Sequence, residues 1–322
     1  MQHLKQASLA GKYEGLKLHV EMVQYESPKL VGVPIEGHFF QICCRNNNEP
    51  MTEELAGFAY NKIIDFCIPR SRLRKDNEQY EKDHDTRHFL DIADRARNVL
   101  ISSPSTLKKS GESGELLLFI LLEGFLNAPL VANKMYLKTN NNMPVFGTDG
   151  IHMRIEDDSS LSLIWGESKL DQDYSDAARY ACNSIAEFMS MDDGNQREAE
   201  IRIITEYCDL DNEQAKQSLV EYLDPYNEKH QKLQEKHACF IGFDFHACSK
   251  KMTEEDFLSA YKERIDTACE LLAQKKISHE LDDLEFIFLL LPFDSIAKFR
   301  RKLVPRRETW KSAFLTLLPD AS

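Results

Sequence analysis

The N-terminal part of the chain alternates hydrophobic and polar residues in a way that predicts two strands and a helix. β-forming residues alternate with polar ones over residues 15–25 and again over residues 35–44, and this period of two is typical of strands. Residues 51–67 instead follow a helical period. We expect Thr52 to cap that helix and Pro69 to close it.

A second stretch of the N-terminal part is polar and basic. The sequence of residues 70–75 reads as a basic turn, and a polar helical pattern follows from about residue 77 to 100. We therefore expect an α+β N-terminal region over residues 1–95 and a second, larger domain over residues 96–322.

The second domain opens with a helix and continues as a mixture of strands and helices. Glu115 to Asn127 is apolar nearly all round, which predicts a buried helix. Further strands are expected at 131–138, 150–156, 161–167, 237–245 and 285–291, with helices at 173–190, 254–274 and 295–303 and a polar helical insert over 195–236. This order predicts an α/β fold, a mixed sheet flanked by helices.

Composition narrows the class of protein. The chain has 322 residues, 42% of them hydrophobic and 29% charged, which is typical of a soluble globular protein. No signal peptide and no membrane span are expected, so we expect a cytoplasmic protein. The 8 cysteines include no CxxC pair, which favours buried thiols in a reducing compartment over disulfides.

The formal net charge of -13 bears on nucleic-acid binding. Affinity for DNA comes largely from Lys and Arg on phosphates, so an acidic chain needs a local basic patch or a partner that presents the DNA. A basic strip near the C-terminus could contact DNA or a partner, or could be a solvated helix face. It consists of Lys298, Arg300, Arg301, Lys302, Arg306, Arg307 and Lys311.

Acidic residues and one lysine are expected to converge at one edge of the sheet. Asp149 begins one predicted strand, and Glu167 and Lys169 end the next. Glu167 and Lys169 are two residues apart on an extended chain, so they point to the same face. Antiparallel pairing of the two strands brings Asp149 beside Glu167, and Glu115 at the start of the buried helix could reach the same edge.

This set suits phosphodiester hydrolysis. Carboxylates from separate elements can hold one or two Mg²⁺ ions, or Mn²⁺, and the carbonyl of Ser168 could complete the metal shell. The lysine could position the attacking water or stabilise developing charge. The alternative is that Glu167 and Lys169 form a solvated strand end and that Asp149 is a turn residue.

The same residues carry a resemblance to a known family. Their order resembles the PD-(D/E)XK nuclease core of restriction endonucleases. More narrowly, the chain resembles the HamA family, the nuclease-like subunits of the bacterial Hachiman anti-phage system, through the runs SGESGELLLFILLE, GTDGIHMRIE, LIWGESKL and DAARYACNSI. Thr148 stands where the name of the superfamily has proline.

The resemblance implies specific roles and a partner. The metal-binding acids of the family fall on Glu115, Asp149 and Glu167, and its catalytic lysine falls on Lys169. The implied activity is a Mg²⁺-dependent deoxyribonuclease that works with HamB, a superfamily-2 helicase. The chain carries no GxxxxGK[ST] P-loop, so ATP use would come from that partner. The rival hypothesis is a catalytically inactive adaptor that binds the helicase.

Three other motifs are weaker. His152 lies on the strand that Asp149 begins, and a structural strand histidine is favoured over a ligand. The pairs His237–Cys239 and His246–Cys248 fit no common zinc module. The acidic run from Asp209 lacks the glycine and the final glutamate of an EF-hand, which excludes that calcium site.

Overall fold

The computed structural model describes residues 10–45, 48–100, 111–132, 134–137, 147–158, 160–190, 195–210, 213–249 and 252–303. The described strands are β1 (Val20–Val23), β2 (Ile35–Ile42), β3 (Leu130–Ala132), β4 (Gly150–Ile155), β5 (Leu161–Asp171), β6 (Leu233–Asp244) and β7 (Glu285–Phe293). The described α-helices are α1 (Thr52–Asn61), α2 (Ile63–Cys67), α3 (Arg70–Asp83), α4 (Arg87–Leu100), α5 (Glu112–Leu126), α6 (Lys134–Leu137), α7 (Tyr174–Ser190), α8 (Asn195–Tyr207), α9 (Glu213–Leu223), α10 (Glu254–Ser278) and α11 (Ile296–Leu303).

The strands form one seven-stranded sheet in the order β1-β2-β7-β6-β5-β4-β3. The central strands β2, β7, β6 and β5 run parallel, while β1 at one edge and β4 and β3 at the other are antiparallel to their neighbours. The predicted α/β class with a mixed sheet is confirmed. Because β2 pairs with β7, the N-terminal strands extend the same sheet as the rest of the chain.

Side chains alternate between two hydrophobic layers, as the strand period requires. On β6, Phe240 faces the layer that holds α5, α1 and α11, whereas Cys239 and Ile241 face the layer that holds α7 and α10. A third cluster joins β3, β4 and β5 to α8 and α9 around Trp165. The sheet is therefore covered on both faces, which fits its near-continuous apolar central strands.

The predicted helix over 51–67 is two helices. The chain tightens where the Lys62 N–H bonds to the Ala59 carbonyl, and α2 starts one residue later. The predicted cap is wrong as well: Met51 occupies the N-cap position, and the Thr52 hydroxyl donates to Asp294 instead. Thr52 thus lies one residue inside the helix, and its hydroxyl is engaged by a distant carboxylate rather than by the backbone of the first turn.

The predicted basic turn over 70–75 is wrong, because these residues form the first turns of α3. Asp209 supplies the reason, since its carboxylate accepts from the backbone N–H groups of Arg70 and Ser71. A helix start needs such acceptors for its unpaired donors. The cap lies far along the chain, so no local pattern indicates it.

Two predicted strands also differ from the structure. The stretch 15–25 contains a 3-10 helix at Leu16–Leu18 before β1 begins at Val20. The stretch 131–138 leaves the sheet after Ala132, and α6 follows at once. The Ser/Gly-rich run 102–114, whose composition predicts a loop, lies largely outside the described residues, and the run Asn140–Asn142, which predicts a turn, lies wholly outside them.

The cysteines and the longest helices agree with the expectations from composition. Six of the eight cysteines are buried free thiols, with Cys43 half-buried and Cys44 exposed. In the described part of the chain, no helix is both long enough and apolar enough to cross a bilayer.

Candidate active site

The β4–β5 hairpin places Asp149 opposite Glu167. The two strands pair with Gly150 beside Gly166, and the Asp149 N–H donates to the Gly166 carbonyl at 2.8 Å. A pair of glycines at this point suits the close approach of neighbouring groups, since a Cβ on Gly166 would come within 2.8 Å of a Leu118 methyl group. The two carboxylates therefore meet at the end of the hairpin that is far from its turn.

Asp149 is fixed by two bonds from one residue. Its Oδ2 accepts from the Ser168 backbone N–H and from the Ser168 hydroxyl, each at 2.7 Å. Ser168 is buried and Asp149 is half-buried, so these bonds are partly removed from solvent. The carboxylate is thereby held at the edge of β5, next to the residue that follows Glu167.

Glu167 and Lys169 share one face of β5. The Lys169 ammonium donates to Glu167 Oε1 as an ion pair, which agrees with the same-face prediction. A hydrogen bond from Ser184 on α7 also reaches Glu167. Ser168, between the two, faces the opposite layer.

The site concentrates negative charge in a buried place. Burial raises the pKa of Glu167 well above its ordinary value, the nearby charge of Asp149 raises it further, and Lys169 only partly offsets both effects. Burial alone would lower the pKa of Lys169, but the charge of Glu167 and the hydrogen bond between them raise it. Perturbed groups of this kind cluster at functional sites.

Glu115 lies close to this edge on the first turn of α5. The neighbouring Gly114 packs so tightly that a Cβ there would stand 2.9 Å from the Ser168 hydroxyl oxygen. The helix start is further tied by Arg300, which donates to the Ser113 hydroxyl at 3.3 Å and to the Leu170 carbonyl at 3.0 Å. Helix α5 thus reaches the residue that fixes Asp149, and Glu115 is itself buried.

A bound metal ion needs several ligand atoms held together in one place. Among the described residues, no group of three or more His, Cys, Asp or Glu side chains is arranged to hold a metal ion. Glu115 therefore does not complete such a group with Asp149 and Glu167. Asp149 lies near enough to Glu167 for its charge to raise the pKa of Glu167, and the Ser168 carbonyl follows Glu167 directly in sequence. Carboxylate and carbonyl oxygens are hard donors that Mg²⁺ accepts.

The other candidate motifs make contacts that are typical of structural residues. His152 is buried and shares a hydrogen bond with the Ala128 carbonyl through Nδ1 at 2.8 Å, as expected of a structural histidine. His237 lies between the rings of Phe188 and Phe286, and within the described chain neither HxC pair belongs to a metal group.

In the basic strip, Arg300 anchors α5, Lys298 pairs with Asp294 and Lys302 pairs with Glu53. Arg306, Arg307 and Lys311 lie outside the described residues.

Three contributions to the site go beyond the roles expected from the sequence. Ser168 acts through its hydroxyl as well as its backbone, Ser184 reaches in from α7, and Arg300 ties α11 to the helix start. The strand period does place Ser168 on the face opposite Glu167, and that signal could have indicated a separate role. No spacing pattern links Ser184 or Arg300 to the hairpin.

Together, the fold and this edge define an α/β protein whose mixed sheet presents two carboxylates and a lysine on adjacent strands. The sequence profile of the HamA family matches residues 20–305, which is most of the chain. The chain therefore belongs to the HamA family and takes part in Hachiman anti-phage defence. No curated protein matches it.

Proposed function

We propose that this chain is a metal-dependent deoxyribonuclease of the PD-(D/E)XK type and the effector of a Hachiman defence complex. The observation that carries the proposal is the hairpin register, which puts Asp149 beside Glu167 with Lys169 on the same face as Glu167. This arrangement gives hydrolysis of a phosphodiester both negative ligands and a positive group on one rigid edge. Rigid strands hold such groups more precisely than loops do.

The lysine has the position that the chemistry requires. Its ammonium is held by Glu167 and its side chain is only 29% exposed, so its charge acts in a partly desolvated place. A fixed cation there can orient the attacking water and offset charge that develops on the phosphate. The high pKa of Lys169 keeps the group charged at neutral pH, which suits electrostatic stabilisation rather than proton abstraction.

A divalent cation fits the charge of the site. The carboxylates of Asp149 and Glu167 lie near one lysine, and burial of Glu167, with the charge of Asp149 added to it, raises the pKa of Glu167. Asp149, Glu167 and the Ser168 carbonyl would hold Mg²⁺ or Mn²⁺, which would supply Lewis-acid activation of water and phosphate. The protein's part is to fix Asp149 through Ser168 and Glu167 through Lys169 and Ser184.

A helicase partner fits the overall charge. With a net charge of -13 the isolated chain is repelled by DNA, and weak binding by itself would keep its activity in check. We propose that a HamB-like superfamily-2 helicase forms a stable complex with this chain and delivers DNA to it. The N-terminal region and the basic C-terminal strip are the surfaces that we propose for docking.

One observation favours the rival function of an inactive adaptor. Glu115, the third acid of the family pattern, does not join Asp149 and Glu167 in a metal-binding group. In that case the protein would serve to bind the helicase, and the sheet edge with Asp149, Glu167 and Lys169 would catalyse no reaction. The two functions differ in a single measurable property, which is metal-dependent cleavage of DNA.

The test is cleavage of supercoiled plasmid by the chain alone and by the chain co-purified with its helicase. We expect cleavage by the complex with Mg²⁺ or Mn²⁺, none in excess EDTA, and binding without cleavage with Ca²⁺. Undiminished cleavage in EDTA would contradict the metal mechanism. A complex that binds DNA but never cuts it, with any divalent ion, would favour the adaptor.

A further inference from the structure

A buried ion pair outside the carboxylate edge joins two helices next to Asp149. Lys134 on α6 and Glu200 on α8 form a contact of 2.5 Å between the ammonium and Oε1. Their side chains are only 4% and 1% exposed. Neither residue belongs to the proposed catalytic set, so the pair needs a separate explanation.

Lys134 also binds the backbone of Thr148. The Lys134 ammonium donates to the Thr148 carbonyl at 2.5 Å. Burial raises the pKa of Glu200, while the charge of Lys134 counteracts that rise. The peptide group between Thr148 and Asp149 is therefore held by one charged pair, which we call the Lys134–Glu200 clamp.

The clamp acts on the residue that directly precedes Asp149. From Asp149 onward the chain is held by β5, through the Asp149 N–H on the Gly166 carbonyl and through Ser168 on the carboxylate. The chain just before Asp149, at Thr148, is held by the Lys134–Glu200 clamp. Asp149 is thus fixed from both sides, and one of the two supports comes from the helical insert that contains α8.

The clamp is not the arrangement that stability alone would favour. The Thr148 hydroxyl oxygen and Glu200 Oε2 are both buried without a hydrogen-bond partner among the described residues. Burying an ion pair also costs solvation, and apolar residues of similar volume are often neutral or better. Unsatisfied buried groups call for an explanation, and a positional role beside a functional carboxylate supplies one.

We propose that Lys134 and Glu200 are positioning residues that fix Asp149 for metal binding and link the helical insert to the proposed active site. This inference rests on the proposed function, because the role of Asp149 does. The inference gives the helical insert a role in positioning Asp149, in addition to its packing against the sheet. Residues that orient a metal ligand without contacting the metal typically contribute about 10- to 100-fold to metal affinity or activity.

The central variant is the double substitution Lys134→Met with Glu200→Leu, which removes the clamp without leaving a buried charge. We expect its Tm to stay within a few degrees of wild type. Plasmid cleavage should fall by about 10- to 100-fold, with a higher Mg²⁺ concentration needed for half-maximal rate. Hydrogen exchange over residues 147–155 should become faster, while exchange over residues 161–166 should stay unchanged.

The control is Arg197→Met. Arg197 lies on the same helix α8 and pairs with Glu235 on β6, so it makes none of the contacts of the clamp. It should leave both the cleavage rate and the exchange over residues 147–155 at wild-type values. Equal effects of the control and the double variant would mean that any loosening of α8 suffices, and would overturn the clamp.

The outcomes separate this inference from the proposed function. A folded double variant with wild-type cleavage and Mg²⁺ dependence overturns the clamp and leaves the nuclease intact. If the wild-type complex cuts no DNA, the proposed function fails, and hydrogen exchange alone decides whether the clamp holds Asp149. If the double variant does not fold, Glu200→Gln, which keeps the shape of the side chain, is measured in the same way. Unchanged exchange over residues 147–155 in that variant would overturn the inference.

Discussion

Two buried glutamates in this protein have opposite surroundings. Glu123 on α5 is 2% exposed and accepts from Tyr13 at 2.9 Å, from Arg70 at 2.6 Å and from the Leu130 N–H at 2.8 Å. Glu167 is 8% exposed, pairs with Lys169 and has the carboxylate of Asp149 nearby. Burial raises the pKa of both, yet a cation and two further donors offset it at Glu123, whereas a like charge adds to it at Glu167.

The difference shows which kind of buried acid indicates a function. Glu123 connects the N-terminal region, α5 and β3, and its surroundings satisfy its charge, so it stabilises the fold. At Glu167 the surroundings leave negative charge uncompensated, which costs stability and creates a place for a cation. Burial alone therefore does not distinguish the two glutamates, but the second carboxylate beside Glu167, that of Asp149, does.

The largest expected effect is on stability, at Glu123. Glu123→Ala leaves the Arg70 guanidinium buried without its carboxylate, and breaking a buried pair from one side costs about 3–5 kcal/mol. Glu167→Ala should cost about 1 kcal/mol or less, since Lys169 can be solvated and repulsion from Asp149 disappears. Urea unfolding of the two variants measures this. Equal losses would remove the distinction between the two glutamates.

Next in size is the effect on catalysis at Lys169. Lys169→Ala should lower DNA cleavage about 100- to 1000-fold, because one well-placed electrostatic group is lost. Glu167→Ala should do at least as much, and the double variant should be scarcely worse, since the two residues act as a unit. Initial rates of the purified complexes give the numbers, with thermal melting as the folding control.

Lys236→Ala is the matched control for that experiment. Lys236 pairs with Glu156 at 3.1 Å near the other end of the hairpin, so its loss also removes a strand lysine from a carboxylate. It should cleave DNA at the wild-type rate. Additive effects at Glu167 and Lys169, or a similar loss from Lys236→Ala, would contradict a joint catalytic role.

A separate effect, on the pH dependence of stability, is expected from the buried histidines as the pH falls. Burial lowers the pKa of His152 and of His237 to about 4, whereas the unfolded chain keeps values near 6.5. Between these values the unfolded state binds more protons, so stability is complete above about pH 6.5 and falls by about 1 kcal/mol per pH unit for each histidine towards pH 4.

His237→Phe isolates one of the two histidines. The new ring can occupy the space between Phe188 and Phe286, and it carries no titrating group. The fall in stability between pH 6.5 and pH 4 should become clearly shallower in urea titrations. An unchanged pH dependence would mean that other groups cause it.

The smallest effect is expected on the basic helix α11. Lys302 forms an exposed pair with Glu53, so Lys302→Ala should change stability by less than about 0.5 kcal/mol. Arg300→Ala should cost about 1–2 kcal/mol, because it removes charged hydrogen bonds to Ser113 and Leu170. Melting curves of the two variants test this order, and a reversed order would show that Arg300 does not anchor α5.

Much of the fold could be predicted because it depends on local periods. The strand period identified β2, β4 and β7, and the all-round apolar pattern identified α5. The errors arose where a distant residue decides the local structure. Asp209 starts a helix at residues that resemble a turn, and Asp294 takes the hydroxyl expected to cap α1.

The candidate site was predictable to the same extent. Period two and an antiparallel hairpin are enough to bring Asp149, Glu167 and Lys169 to one edge. The residues that hold them are not, since Ser184, Lys134 and Glu200 come from helices whose contact with the hairpin exists only in the folded chain. The roles assigned to Glu115, Asp149, Glu167 and Lys169, and the division of the chain at residue 95, stay predictions.

The central claim is tested most directly by two aspartates at opposite ends of the same hairpin. Asp149 accepts from the N–H and hydroxyl of Ser168, and Asp158 accepts in the same way from Ser160, at 2.9 and 2.6 Å. The measurement is the Mg²⁺-dependent rate of plasmid cleavage by helicase complexes that carry Asp149→Asn or Asp158→Asn. The account predicts a loss of about 100-fold or more for Asp149→Asn and a wild-type rate for Asp158→Asn. Wild-type cleavage by a folded Asp149→Asn complex would contradict it.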